Sequence, residues 1–323
     1  MIANSALRRN FLAAALSLIA ATITTDAFAD NYPSKPITIL CWSKPGSPVD
    51  VFARVMAPLL SKQLGQPVVV QTKTGGGGVV ASNEMLSRSA DGYMLLAVTD
   101  SLTTKFGEPG VTFKPSDFQM LARGEVDPYA VIVSGNSQFK SLKDLIAYAK
   151  AHTGELTVSG PFALSGARVH WEEIAQKEGF KTTWIPYPGG SAAVIAVAGG
   201  DAMAGVSNPG NLKAQVAAGK IRILAIATEQ RLPDFPNVPT YKEEGFNYIG
   251  SHWRGIAAKA GTPKAIVDKL ADALHEVQES QPYKDYLKKV SQSNGWIGGP
   301  DKFQPEFLDD VTKFTALKKM LGL

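Results

Sequence analysis

Residues 42–54 read WSKPGSPVDVFAR and connect an apolar segment of strand type, residues 37–41, to a segment whose apolar residues recur every three to four positions. This change of period predicts a sharp turn from a strand into a helix. Ser47 fits the N-cap of that helix and Pro48 its first position. Asp50 lies three residues after the cap, where a carboxylate can reach back to the N–H of the cap.

The turn before this helix has the features of an anion site. Residues 44–46, Lys-Pro-Gly, place backbone N–H groups at the positive end of the helix dipole, which can hold a carboxylate or a phosphate. The alternative is a well-capped turn without a ligand, because such connections occur throughout α/β proteins.

Composition limits the class of protein. The chain has 323 residues, of which 45% are hydrophobic and 19% are charged, as in an ordinary globular protein of about two domains. The formal net charge is only +4, and basic residues do not form a run with interleaved aromatic residues. We therefore expect no binding to nucleic acid.

The N-terminus is typical of an exported protein. Arg8 and Arg9 precede an apolar segment, residues 11–23, and Ala27-Phe28-Ala29 forms a small-x-small cleavage site. These features predict a signal peptide over residues 1–29, cleaved after Ala29, and a mature protein in the periplasm. Cys41 is the single cysteine of the sequence, so an intramolecular disulfide is impossible.

Strands and helices alternate through the rest of the chain, which predicts an α/β fold built on mostly parallel sheets with helices on both faces. Ligands of such folds bind at the carboxyl ends of the strands. A second turn at such an end, YPGGS over residues 187–191, repeats the first in kind. Ser191 is predicted to cap the short apolar helix that follows, so the two halves of the chain each offer a helix end that can receive an anion.

Enzyme motifs are weak. Residues 76–81 match G-x-G-x-x-A, and Asp100 ends the following strand as a conceivable partner of a ribose, so an exported dinucleotide-dependent oxidoreductase is an alternative reading. The four histidines lack metal-ligand spacing, and the sequence has neither a nucleophile elbow nor a phosphate-binding P-loop. We therefore predict a binding protein that is not an enzyme, with no cofactor and no metal.

An ordered series of segments supplies a resemblance. YPSKPITIL, PGSPVDVFAR, LGQPVVV, ADGYMLL, SLKDLIAYAK, IPYPGGSAAVIAVAGGD and AGTPKAIVDKLADAL follow one another along nearly the whole mature chain. In this order they resemble the Bug-type periplasmic substrate-binding proteins of the tripartite tricarboxylate transporter family. The resemblance implies a two-lobed clamshell, with residues 31–126 and 248–323 in lobe 1 and residues 127–247 in lobe 2.

The resemblance also implies where a ligand binds. The predicted ligand-binding residues are Trp42, Lys44, Pro45, Gly46, Ser47, Asp50, Thr99, Asp100, Ser101, Ser159, Phe162, Ser165, Gly189, Gly190 and Ser191. Gly46, Ser47 and Gly190 are expected to offer N–H or hydroxyl donors, while Asp50 fixes its loop without touching the ligand. Thr99-Asp100 replaces the asparagine-glycine pair usual in the family. The charge of Asp100 would repel a second ligand carboxylate but could receive an amine or a hydroxyl.

The predicted function is an exported, monomeric solute-binding protein. It captures a small organic carboxylate between its lobes and delivers it to the permease subunits of a tripartite transporter; an aromatic compound or a dicarboxylate would fit. Trp42, Phe162 and Trp253 are candidates to line the cleft, although each also fits core packing. The orientations of Arg168 and Arg254 stay open. A ligand-sensing partner of a membrane receptor would use the same pocket and is a further alternative.

Overall fold

A computed structural model of the protein describes residues 31–290, 292–296 and 298–322. The predicted signal peptide, residues 1–29, lies outside the described residues. The strands are β1 (Ile37–Cys41), β2 (Val68–Thr72), β3 (Met94–Thr99), β4 (Phe118–Pro128), β5 (Ala130–Ser134), β6 (Thr157–Pro161), β7 (Thr183–Tyr187), β8 (Ala204–Ser207), β9 (Ile221–Ile226), β10 (Ser251–Lys259) and β11 (Ser293–Asn294). The helices are α1 (Pro48–Leu64), α2 (Val79–Leu86), α3 (Leu142–Ala151), α4 (Gly166–Glu178), α5 (Gly190–Gly199), α6 (Lys213–Ala217), α7 (Lys264–Glu279), α8 (Gln281–Val290) and α9 (Pro300–Leu321).

These strands form two sheets, one in each lobe. The first sheet has the order β11-β4-β10-β3-β1-β2, and the second has the order β7-β6-β8-β5-β9. In the first sheet β1 is parallel to β2 and β3, whereas β10 is antiparallel to β3 and β4. In the second sheet β6 is parallel to β7 and β8, whereas β5 is antiparallel to β8 and β9.

The predicted α/β two-lobed fold is therefore confirmed, but each sheet is mixed instead of mostly parallel. The strands that run between the lobes cause this difference. β4 leads from the first sheet directly into β5 of the second, and β10 returns the chain to the first sheet. A strand that enters a lobe by such a crossing pairs antiparallel with the strand beside it, because no crossover helix precedes it.

Helices cover the sheets through apolar faces. In lobe 1, Phe52, Met56 and Leu60 of α1 pack in one core with Leu270 and Leu274 of α7. The apolar residues of α7 recur every three to four positions, and the structure buries this face. The described residues contain no helix that is both long enough and apolar enough to cross a membrane.

The two lobes touch along α9, the last helix of the chain. Its residues Phe314 and Leu317 form a small buried cluster with Val169 of α4. Beside this cluster, Lys313 Nζ lies 3.3 Å from Glu173 Oε2 of α4. A backbone hydrogen bond joins the two chain crossings between the lobes: the Tyr129 N–H donates to the Gly250 carbonyl at 2.9 Å.

Candidate functional site

The first loop turns as the sequence predicts, but its hydrogen bonds differ in detail. Ser47 is the N-cap residue of α1 and Pro48 its first residue, but the Ser47 side chain makes no capping hydrogen bond. The Asp50 carboxylate accepts from the Gly46 N–H at 2.9 Å, one residue earlier than expected. Gly46 therefore cannot supply the ligand donor assigned to it, because its N–H is already bonded. The Ser47 N–H is also used, since it closes the turn onto the Lys44 carbonyl at 3.1 Å.

Asp50 holds this loop from a buried position. Its Oδ2 also accepts from Arg54 Nε at 2.9 Å, and the residue is only 1% exposed. Burial alone would raise the pKa of Asp50, but the Arg54 guanidinium and the Gly46 N–H together hold that pKa below its ordinary value. The carboxylate is therefore ionised at neutral pH, and its contacts are those of a residue that orders the loop.

Replacing this carboxylate changes the acid sensitivity of the fold. A lowered folded-state pKa contributes stability above the ordinary aspartate pKa of about 3.9, and this contribution is lost as the pH falls through the folded value. We expect Asp50→Asn to lower Tm at pH 7. The difference in Tm between the variant and the wild type should shrink as the pH falls below about 4. Thermal melts from pH 7 to pH 3 measure this, and a constant gap would contradict the assignment.

The start of α1 still presents unused donors. The N–H groups of Val49 and Asp50 have no hydrogen-bond partner among the described residues, as is usual for the first turn of a helix. Ser47 Oγ is buried and also lacks a partner there. Exposed Lys44 and Pro45 form the outer side of the turn. The groups of this loop that could bind a carboxylate are thus the free N–H groups at the start of α1 and the Ser47 hydroxyl.

The end of β3 lies next to this loop in the sheet. Thr99 is buried and caps the following short helical turn by accepting from the Ser101 N–H at 3.2 Å. Asp100 is buried and Ser101 half-buried. Half-buried Trp42 packs against the backbone at Gly78. These residues form one continuous edge of lobe 1.

Lobe 2 offers the second helix end. Helix α5 begins at Gly190 with Gly189 as its N-cap, so the prediction that Ser191 caps it is wrong. Ser191 instead donates its hydroxyl to Asn211 Oδ1 at 3.0 Å. The amides of Gly190 and Ser191 have no hydrogen-bond partner within the described chain. Asn211 was missed from the sequence, although its segment, residues 208–211, follows strand β8 as the other site loops follow theirs.

Of the remaining lobe 2 candidates, two serines make hydrogen bonds within the lobe, and Phe162 is exposed. Ser159 is fully buried and its Oγ donates to the Ala193 carbonyl at 2.9 Å, so it supports α5 and is not open to a ligand. Ser165 caps α4 by accepting from the Arg168 N–H at 3.3 Å. Phe162 has an exposed side chain and a positive φ of 53°, uncommon for a residue other than glycine. Its exposed ring lies in the loop between β6 and α4.

The site edges of the two lobes face each other. Asp100 Oδ2 of lobe 1 accepts from the Tyr129 hydroxyl at 3.2 Å. A Cβ added to Gly166, the first residue of α4, would lie 2.5 Å from the same oxygen. Since Asp100 follows β3 and Gly166 follows β6, the carboxyl ends of the parallel strands in both sheets meet across one cleft.

Two other candidates belong to the interior. Trp253 is buried, and its Nε1 donates to Asp310 Oδ2 at 2.7 Å, so it does not line the cleft. Arg254 is buried in an ion pair with Glu125.

The orientation of Arg168 is also settled. Its Nη1 donates to the Ala163 carbonyl at 2.8 Å, so the guanidinium holds its own loop.

The glycine-rich segment does not form a tight dinucleotide turn. Residues 73–75 separate β2 from a short helical turn, Gly76–Gly78, and helix α2 has only eight residues. The expected ribose partner, Asp100, is 4% exposed and already contacts Tyr129. The geometry gives the oxidoreductase reading no support.

Comparisons with known proteins agree with this architecture. The family model described as "Tripartite tricarboxylate transporter family receptor" (TctC) matches residues 52–323. Protein BugT of Bordetella pertussis (strain Tohama I) is 30% identical over 319 residues, which cover 96% of this chain and 97% of that protein.

Solved structures agree as well. A TctC solute-binding protein from Polaromonas, solved without ligand, has a TM-score of 0.81 at 26% identity and covers 90% of this chain and 99% of its own. Rpa4515 of R. palustris, solved with adipate, has a TM-score of 0.68 at 25% identity and covers 90% and 98%. The chain therefore belongs to the TctC family of tripartite tricarboxylate transporter receptors, whose Bug-type members its sequence resembles.

Proposed function

We propose that this protein is an exported, monomeric solute-binding protein of the periplasm that captures a small organic carboxylate between its lobes and delivers it to the permease subunits of a tripartite transporter. The observation that carries the proposal is the pair of helix ends, α1 and α5, with unused N–H donors on the edges that face the cleft. Such ends favour an anion through their dipoles and their unsatisfied amides.

Ser47 adds a side-chain donor to this site. Burying a hydroxyl without a hydrogen bond is unfavourable, and a ligand carboxylate above the start of α1 would satisfy Ser47 Oγ. The relative Rpa4515, solved with adipate, supports a carboxylate as the ligand class. Closure would be a hinge motion at the two crossings, near residues 126–129 and 246–249, driven by ligand contacts that exist only when both lobes meet.

A thermal-shift screen of the mature protein against mono-, di- and aromatic carboxylates identifies the ligand. A compound that binds only the folded state adds about 2.7 kcal/mol of stability at 100 times its Kd. We expect at least one carboxylate to raise Tm and dinucleotides to leave Tm unchanged. A dinucleotide response without any carboxylate response would contradict the proposal.

Ser47→Ala then tests the site itself. Because Ser47 Oγ has no partner within the described chain, we expect the free energy of unfolding to change by less than about 0.5 kcal/mol. Affinity for the identified carboxylate should fall about tenfold or more, as for a lost hydrogen bond to a charged group. Calorimetric titration and chemical denaturation measure the two effects.

Ser61→Ala is the matched control on the same helix. Ser61 Oγ accepts from the Val68 N–H at 2.6 Å, away from the helix start. Its loss should reduce stability by about 1 kcal/mol while affinity is unchanged. If Ser47→Ala binds the carboxylate as tightly as the wild type does, the Ser47 hydroxyl does not contact the ligand.

A further inference from the structure

Asp100 occupies an unusual position in the cleft. It directly follows β3, among the predicted ligand-binding residues, yet it is 4% exposed. Its Oδ2 accepts from the Tyr129 hydroxyl at 3.2 Å. His252 Nδ1 lies against its Oδ1, in an orientation that leaves this oxygen without a hydrogen bond. Both partners belong to the crossings between the lobes.

The same carboxylate reaches the opposite lobe. A Cβ on Gly166 would lie 2.5 Å from Asp100 Oδ2 and 2.2 Å from the Tyr129 hydroxyl, so the backbone at the start of α4 packs directly against this group. Helix α4 has 13 residues, and its N-terminus favours a negative charge. The Asp100 carboxylate of lobe 1 therefore lies directly beside the start of this lobe 2 helix.

Two other buried carboxyl groups lie near Asp100. Asp127 is buried, and its Oδ1 has no partner among the described residues. Burial raises the pKa of Asp127, with Asp100 among the nearby charges that add to the shift. Burial also raises the pKa of Asp310 to about 7, and Asp100 again contributes. Burial and the charge of Asp100 thus disfavour ionised carboxyl groups at this end of the cleft, and a further ligand carboxylate would meet the same penalty.

The cations near these carboxyl groups have partners of their own. Arg254, which acts on Asp127, is paired with Glu125. Lys313, which acts on Asp310, lies 3.3 Å from Glu173. Arg254 and Lys313 are thus engaged by other carboxylates and offer a second ligand carboxylate little charge here.

We propose that Asp100 is a specificity-determining residue that excludes a second carboxylate from the α4 end of the cleft. The ligand class that follows is a monocarboxylate whose far end carries no negative charge. This inference rests on the proposed function, because it assumes that the first carboxylate binds at the α1 and α5 ends. It separates this protein from the relative Rpa4515, which was solved with adipate, a dicarboxylate.

The test compares matched acids that differ in one carboxylate. Butanoate and succinate, hexanoate and adipate, and benzoate and terephthalate are titrated calorimetrically into the mature wild-type protein and into Asp100→Asn. Asparagine keeps the size of the side chain and its acceptor for Tyr129 but removes the charge. In at least one pair we expect the wild type to bind the monocarboxylate at least tenfold more tightly, and Asp100→Asn to reduce that ratio about tenfold.

Asp201→Asn is the control, because it removes the same charge from an exposed residue beyond the far end of α5. It should leave every ratio unchanged. Tighter binding of the dicarboxylate by the wild type, or a ratio that Asp100→Asn does not change, would overturn this inference while leaving the proposed function intact. Absence of binding by all six acids would instead count against the proposed function, and with it the inference.

Discussion

Gly190→Asp should abolish carboxylate binding, with a loss of affinity of at least about a hundredfold, while the protein stays folded. Gly190 is the first residue of α5, and a Cβ there would lie 2.6 Å from Asn211 Nδ2 and 3.0 Å from Ser207 Oγ. An aspartate is well accepted at a helix start, so folding is preserved. Its carboxylate would occupy the donors that the ligand needs and would repel the ligand. Calorimetric titration measures the loss.

Gly190→Ala separates charge from crowding. It introduces the same Cβ, and the contacting atoms are the ends of side chains that can move. We expect a much smaller loss of affinity than for Gly190→Asp. Equal losses would show that α5 contributes through packing and not as an anion-binding end, and unchanged binding in Gly190→Asp would exclude this helix end from the site.

Arg254→Met should destabilise the protein by about 3–5 kcal/mol, because it leaves Glu125 buried without its cation. Burial raises the pKa of Glu125, and the Arg254 charge and the Tyr286 hydroxyl, which donates to Oε2 at 2.9 Å, oppose that rise. Without Arg254 the folded-state pKa rises further, so the unpaired carboxylate is penalised most at high pH. The loss in chemical denaturation should therefore be larger at pH 8 than at pH 5.

Glu125→Gln combined with Arg254→Met provides the check on this pair. The double variant removes the buried charge altogether and should recover much of the stability lost in Arg254→Met. The affinity of folded Arg254→Met for the ligand should stay close to that of the wild type, since Arg254 faces Glu125 and not the ligand. A selective loss of affinity with unchanged stability would place Arg254 in the cleft.

The sequence predicts the parts of the site that local geometry determines. Ser47 and Pro48 start α1 because cap and first-turn preferences act over a few residues. The YPGGS turn leads into α5 for similar reasons, although its cap is Gly189 because the glycine pair allows the helix to begin earlier.

The parts that the sequence did not predict depend on contacts between distant residues. Strand β4 was missed because its sequence, FQMLARGEVDP, contains three charged residues and lacks a clear period of two. The fold buries Glu125 and Asp127 of this strand through partners that lie far along the chain. The contacts of Asp100 with Tyr129 and His252 likewise join segments that only the crossings bring together.

The proposed function requires that the starts of α1 and α5 hold one carboxylate at the same time. The most direct measurement follows backbone amide resonances by NMR while the tightest-binding acid of the carboxylate screen is titrated into the mature protein. We predict that the amides of Val49 and Asp50 in lobe 1 and of Gly190 and Ser191 in lobe 2 shift together and saturate at one ligand concentration. Shifts confined to one lobe, or saturable binding that leaves all four amides unmoved, would contradict the account.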